Sequence, residues 1–91
     1  MIPEILMDAK VYDNLRWEDV DGLKLDKLIE GMTVIGSEPI DYPLTDGIDI
    51  YLRGKDGFIY ALEIGYYDDF VRDTETENSF YVKMAKVEQK S

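Results

Sequence analysis

Asp49 and Glu63 come closest in this chain to a pair of groups that could do chemistry. Ile48, Ile50 and Leu52 alternate with Asp49, Tyr51 and Arg53; after Gly54-Lys55-Asp56-Gly57, Phe58, Tyr60, Leu62 and Ile64 alternate with Ile59, Ala61 and Glu63. That pattern is a β-hairpin. A three-residue loop Lys55-Asp56-Gly57, with Gly57 left-handed, pairs Gly54 with Phe58. Leu52 then faces Tyr60, Ile50 faces Leu62, Ile48 faces Ile64 and Asp49 faces Glu63. A two-residue loop would set Ile50 against Glu63 and Leu52 against Ala61, scrambling the apolar face. Two carboxylates at cross-strand distance repel when both are ionised, so one must be protonated or neutralised. The chemistry open to such a pair is acid/base transfer or divalent-ion binding. The simpler reading is structural, with Lys83 from a neighbouring strand, or Arg53, settling the charge.

Other reactive constellations are excluded by residue type. The chain has no His and no Cys, which removes disulfides, zinc sites of the Cys/His kind, thiol nucleophiles and any triad with a histidine base. Serines 37, 79 and 91 have no Ser-x-x-Lys motif to supply a lysine base. Gly54 and Gly57 join two strands, without the following helix or Lys-Ser/Thr of a phosphate loop. Asp73, Glu75 and Glu77 resemble the start of a calcium loop, but the sixth position from Asp73 is Asn78 rather than Gly and the twelfth is Met84 rather than Glu. The expectation is a protein that is not an enzyme and holds no cofactor or metal.

Charge is the stronger signal. Ten Lys and Arg against twenty Asp and Glu leave −10 in 91 residues. Most of it is local: Glu38, Asp41, Asp46 and Asp49 contain no basic residue among them, and residues 63–82 hold Glu63, Asp68, Asp69, Asp73, Glu75 and Glu77 against Arg72 and Lys83 just beyond. Such a surface repels nucleic acid and anionic membrane and speeds encounter with a basic protein; a solvated surface that keeps the protein soluble is the plainer explanation. Tyrosine is abundant at seven residues, and tyrosines anchor protein interfaces. The alternation puts Tyr51, Ile59, Tyr81 and Val87 on the second face of the hairpin, to be covered by the N-terminal segment or by a partner. Trp17 is expected as a core or edge anchor.

The elements that must position these groups are small. Pro3 to Asn14 reads as a short helix; Asp21 caps a second over Leu23–Glu30, with Leu25, Leu28 and Ile29 as its apolar stripe and Gly31 as its C-terminal cap. Met32–Ile35 reads as a strand that Gly36 and the Pro39–Pro43 stretch end or bend, and Ser79–Val87 as a strand antiparallel to Phe58–Gly65. The fold class is α+β, a small antiparallel sheet of about four strands with one or two short N-terminal helices packed on it. The Leu23–Glu30 helix is expected on the face of Ile50, Leu62, Val82 and Met84. Area scaling lets a chain of this length bury about 64% of its surface, so residues 1–91 are expected to form a single domain. No basic and apolar leader or long apolar run is present, and a cytoplasmic location is expected.

The sequence therefore points to a small acidic binding protein that neutralises or regulates a basic protein partner, in the manner of an immunity protein, antitoxin or phage-type inhibitor. Asp41, Asp46, Asp68, Asp69, Asp73, Glu75 and Glu77 would steer the encounter, and Tyr51, Tyr66, Tyr67 and Tyr81 would make contact. The competing readings are a self-associating domain that closes a homodimer through its apolar hairpin face, and a cation site at Asp49 and Glu63.

Overall fold

The computed structural model describes residues 2–42, 45–67 and 80–90, with residues 41, 42, 67, 80 and 88–90 described by their backbone alone. Five antiparallel strands make one sheet: β1 (Glu18–Asp19), β2 (Thr33–Tyr42), β3 (Thr45–Arg53), β4 (Phe58–Tyr67) and β5 (Phe80–Lys90), in the order β1-β5-β4-β3-β2. The fold is a small α+β one, with a fifth strand beyond the four expected. That strand is only two residues long and has no alternating apolar pattern, so nothing local in Arg16-Trp17-Glu18-Asp19 announces it.

The central hairpin has the expected register. Leu52 pairs with Tyr60, Ile50 with Leu62, Ile48 with Ile64 and Asp49 with Glu63. Gly54 N–H donates to the Phe58 carbonyl at 2.9 Å and Gly57 N–H to the Gly54 carbonyl at 3.0 Å, with Gly57 at φ 86°. A side chain at position 57 would be strained in that left-handed conformation. Asp56 completes the turn: one carboxylate oxygen accepts from Phe58 N–H at 2.9 Å and the other from the Tyr60 hydroxyl at 2.6 Å.

The strand expected over Met32–Ile35 instead runs to Tyr42, straight through Gly36 and Pro39. A bulge between Val34 and Gly36 absorbs one extra residue, Ile35. Pro39, opposite Ile48, is tolerated because β2 is the outer strand of the sheet and a missing N–H costs no ladder bond on the open side.

Both helices are shorter than the sequence suggests. Asp8 divides the first: its backbone is extended (φ −77°, ψ 115°) and its side chain accepts from Lys10 N–H, so a 3₁₀ turn over Glu4–Met7 stops there and α1 (Ala9–Asp13) starts afresh. The second begins at Asp21, whose carboxylate accepts from Leu23 N–H at 3.0 Å, as a 3₁₀ turn over Gly22–Lys24 that passes into α2 (Leu25–Leu28); Gly31 at φ 77° follows. Leu25 and Ile29 face the sheet, while Leu28, expected in the same stripe, is 46% exposed. Positions four apart share a helix face, and Leu28 lies off to one side of that pair.

These pieces clasp the sheet. Residues from Ile2 to Trp17 pack on one face, over Tyr51, Ile59, Ala61 and Val87, with Leu6 fully enclosed. The chain then pairs with β5 as β1 and passes to the other face, where Val20, Leu25, Ile29 and Met32 cover Leu52, Leu62 and Val82. The N-terminal third is thus a clip folded around the β5 edge, with one apolar layer on each side. Both faces of the central hairpin are apolar because both are covered.

Candidate functional site

Cross-strand pairing gathers part of the expected acidic site at one end of the sheet. Asp41 pairs with Asp46, Asp46 with Tyr66, and Tyr66 with Phe80, which makes one row across β2, β3, β4 and β5. Thr45 and Tyr67 form the next row outward. Asp46 is exposed and Tyr66 is 50% exposed. On the same face, one step inward, Pro39 pairs with Ile48 and Ile48 with Ile64; Pro39 is exposed, and so is Ile48, at 38%. Ile48 had been expected in the core. Residues Val20–Met32 cover the middle of this face and stop short of its Tyr66 end, which leaves Ile48, Pro39 and Tyr66 as an apolar patch beside Asp46. Sequence alternation identified the face correctly but carries no signal for how far the short covering segment reaches.

The remaining expected contacts are distributed otherwise. Tyr51, expected to meet a partner, is 2% exposed beneath the N-terminal segment and is a core residue. Tyr81 lies on that same covered face, not with Tyr66: its ring sits over Gly65, so close that a Cβ there would fall 2.3 Å from the ring, and its hydroxyl donates to Glu63 at 2.5 Å. Period-two alternation makes one contact set of all four tyrosines impossible. Asp68, Asp69, Asp73, Glu75 and Glu77 lie outside the described residues, between the ends of β4 and β5.

The Asp49–Glu63 pair is the second candidate, and the register extends it. Glu38, Asp49, Glu63, Lys83 and Asp19 pair in succession across β2, β3, β4, β5 and β1, so a single row of the sheet carries three adjacent carboxyls, one lysine and a fourth carboxyl. Lys83 Nζ lies 3.4 Å from the Glu63 carboxylate, 5.1 Å from the centre of the Trp17 ring and 5.5 Å from that of Tyr81. Lys83 therefore settles the charge on Glu63, as the structural reading anticipates, while Arg53 is exposed at the far end of its strand. Asp49 is served less well: its Oδ1 is buried and accepts no hydrogen bond. Burial, a hydrogen bond shared with Glu63, and the Glu63 and Glu38 charges push its carboxyl up to about 7, against the opposing pull of Lys83. The buried Tyr51 hydroxyl beside it is also raised, by burial first and then by the Asp49 charge. Among the described residues no three carboxyls converge on a point where a metal ion could bind.

An open groove of about 850 Å³ lies beside β1, lined by Arg16, Glu18, Leu28, Tyr60, Met84 and Lys86 among others. It accounts for the exposure of Leu28. Lys86 there rests over the Phe58 ring at 4.0 Å and sits 3.8 Å from Asp56.

No helix among the described residues is long and apolar enough to cross a membrane. Comparison of the chain with protein-family models, with curated proteins and with solved structures gives no match in any of the three.

Proposed function

We propose that this protein is a non-catalytic binding protein that neutralises or regulates a basic protein partner, and that the partner docks at the Tyr66 end of the sheet. The observation that carries this reading is the exposed apolar patch of Ile48, Pro39 and Tyr66 directly beside Asp46. Apolar side chains hold a complex once charge has brought the partners together, and a net charge of −10 supplies the steering. An immunity, antitoxin or inhibitor role in the cytoplasm fits a small acidic chain of this kind.

The test is an affinity capture from the source organism's extract, washed along a salt gradient, with wild type beside Asp46→Lys and Tyr66→Ala. A basic protein that elutes between low and moderate salt from wild type, and is lost from both variants, supports the proposal. A partner retained equally by all three baits refutes this surface. Capture of further copies of the chain alone assigns the patch to self-association.

A further inference from the structure

We propose that Asp49 and Glu63 form a proton-operated latch: one shared proton lets the two carboxyls bond across β3 and β4, and its loss sets two like charges side by side and weakens the hold of the N-terminal segment on the sheet. This is independent of the docking surface, which lies on the opposite face.

The geometry supplies each part. Asp49 and Glu63 are directly opposed, and a pair of carboxyls can share a hydrogen bond only if one O–H donates to the other's carboxylate. The Tyr81 hydroxyl donates to Glu63 and Lys83 Nζ lies 3.4 Å from the same carboxylate, whereas the buried Oδ1 of Asp49 accepts no hydrogen bond. Titratable groups face Asp49 from each described element around it. β2 contributes Glu38, β4 contributes Glu63, β5 contributes Lys83 and Tyr81, β1 contributes Asp19 beyond Lys83, and α1 contributes Tyr12, which neighbours the Tyr51 hydroxyl. Among the described residues, the row of paired positions holds four carboxyls and one lysine. When Asp49 ionises, its buried Oδ1 needs a hydrogen-bond donor that the packed face does not supply, and the Tyr12 and Trp17 side chains packed on that face are the ones that must loosen to admit water.

The composition makes the latch readable. With no His and no Cys, no other side chain in the sequence ordinarily titrates between pH 5.5 and 8; only an α-amino group does. Trp17, the single tryptophan, sits against Lys83 in the same row. The experiment is Trp17 fluorescence from pH 5 to 9 in wild type, Asp49→Asn and Glu63→Gln, with the carboxyl-carbon NMR shift of Asp49 followed in wild type over the same range. The expected result is a wild-type fluorescence transition near neutrality, coincident with the Asp49 carbon titration and abolished in Asp49→Asn. Hydrogen exchange of the Val11–Leu15 amides should accelerate several-fold across it. An Asp49 carbon that titrates wholly below pH 5 overturns the proposal, and needs no variant to fold. A fluorescence transition that persists unchanged in Asp49→Asn overturns it as well, because the change then belongs to another group.

Discussion

Leu62→Ala should be one of the most damaging single substitutions in this protein, and the structure sets how damaging. Leu62 is 2% exposed at the centre of β4, between Ile50 and Met84, in one buried cluster with Leu52 and Val82 and beneath Leu25 and Ile29. Truncation removes the equivalent of about three methylenes at about 0.8 kcal/mol each. The strands on either side are hydrogen-bonded and cannot close in, so a cavity term adds to this, for a total of about 3 to 4 kcal/mol. Total stability for 91 residues is roughly 5 to 14 kcal/mol, so the variant should still fold but unfold at a much lower urea concentration. Ile48→Ala is the matched control. It lies on the same face of the same hairpin, at 38% exposure and beyond the covering segment, and should cost about 1 kcal/mol or less. The assay is urea unfolding followed by circular dichroism, with equal m-values required for the comparison. If Ile48→Ala lost as much as Leu62→Ala, the covering segment would have to reach the Tyr66 end, and the exposed patch proposed as a docking surface would not exist.

Gly65→Ala should destabilise by about 1 to 3 kcal/mol, because the new Cβ must displace the Tyr81 ring and with it the hydroxyl's bond to Glu63; thermal unfolding would show it, and an unchanged Tm would mean the ring moves aside at no cost. Asp8→Ala should cost about 0.5 to 2 kcal/mol through loss of the α1 cap, read as a lower urea midpoint. Stability should also depend on pH in a defined direction. Asp49 holds its proton to about 7 in the fold against 3.8 as its ordinary value, so the native state binds the extra proton between those limits and stability falls as pH rises from about 4 to 7, then levels off. Since Asp49 is only partly buried, solvent screening reduces this to about 1 to 2 kcal/mol. Asp56 works the other way: bonds from the Tyr60 hydroxyl and Phe58 N–H hold its carboxyl below the usual value, a contribution present above pH 3.8 and lost as pH falls further. Urea midpoints from pH 3 to 9 should therefore peak near pH 4, and Asp49→Asn should flatten the alkaline side of the peak.

The hairpin was legible because two independent constraints, alternation and turn chemistry, agree on one register for Ile48–Ile64. The Asp49–Glu63 opposition followed from that register, and Lys83 as its neutraliser followed from the next strand. Where only one weak signal was present, the reading departs from the structure. Gly36 and Pro39 argued for a strand end, but an outer strand accommodates both, and only the sheet order reveals which strand is outermost. The helical spacing over Pro3–Asn14 hides that Asp8 is a cap, whose side chain starts α1 afresh. Tyr51 and Tyr66 look alike in sequence; what separates them is the reach of the N-terminal clip, a tertiary fact. Likewise the row from Glu38 to Asp19 spans five strands and is visible only once all four pairings are known.

The strand order has a kinetic consequence. β2, β3, β4 and β5 follow one another in space as in sequence, so each of their pairings closes a connection to the next strand along the chain. Only β1 departs from this, since Glu18 must find Met84 near the opposite end of the chain. Local pairings form early because their loop-closure cost is small, and the distant one waits until the sheet exists to receive it. The clip should accordingly be the last part to assemble and the first to open, which makes the meander without it the partly folded state this protein visits most often.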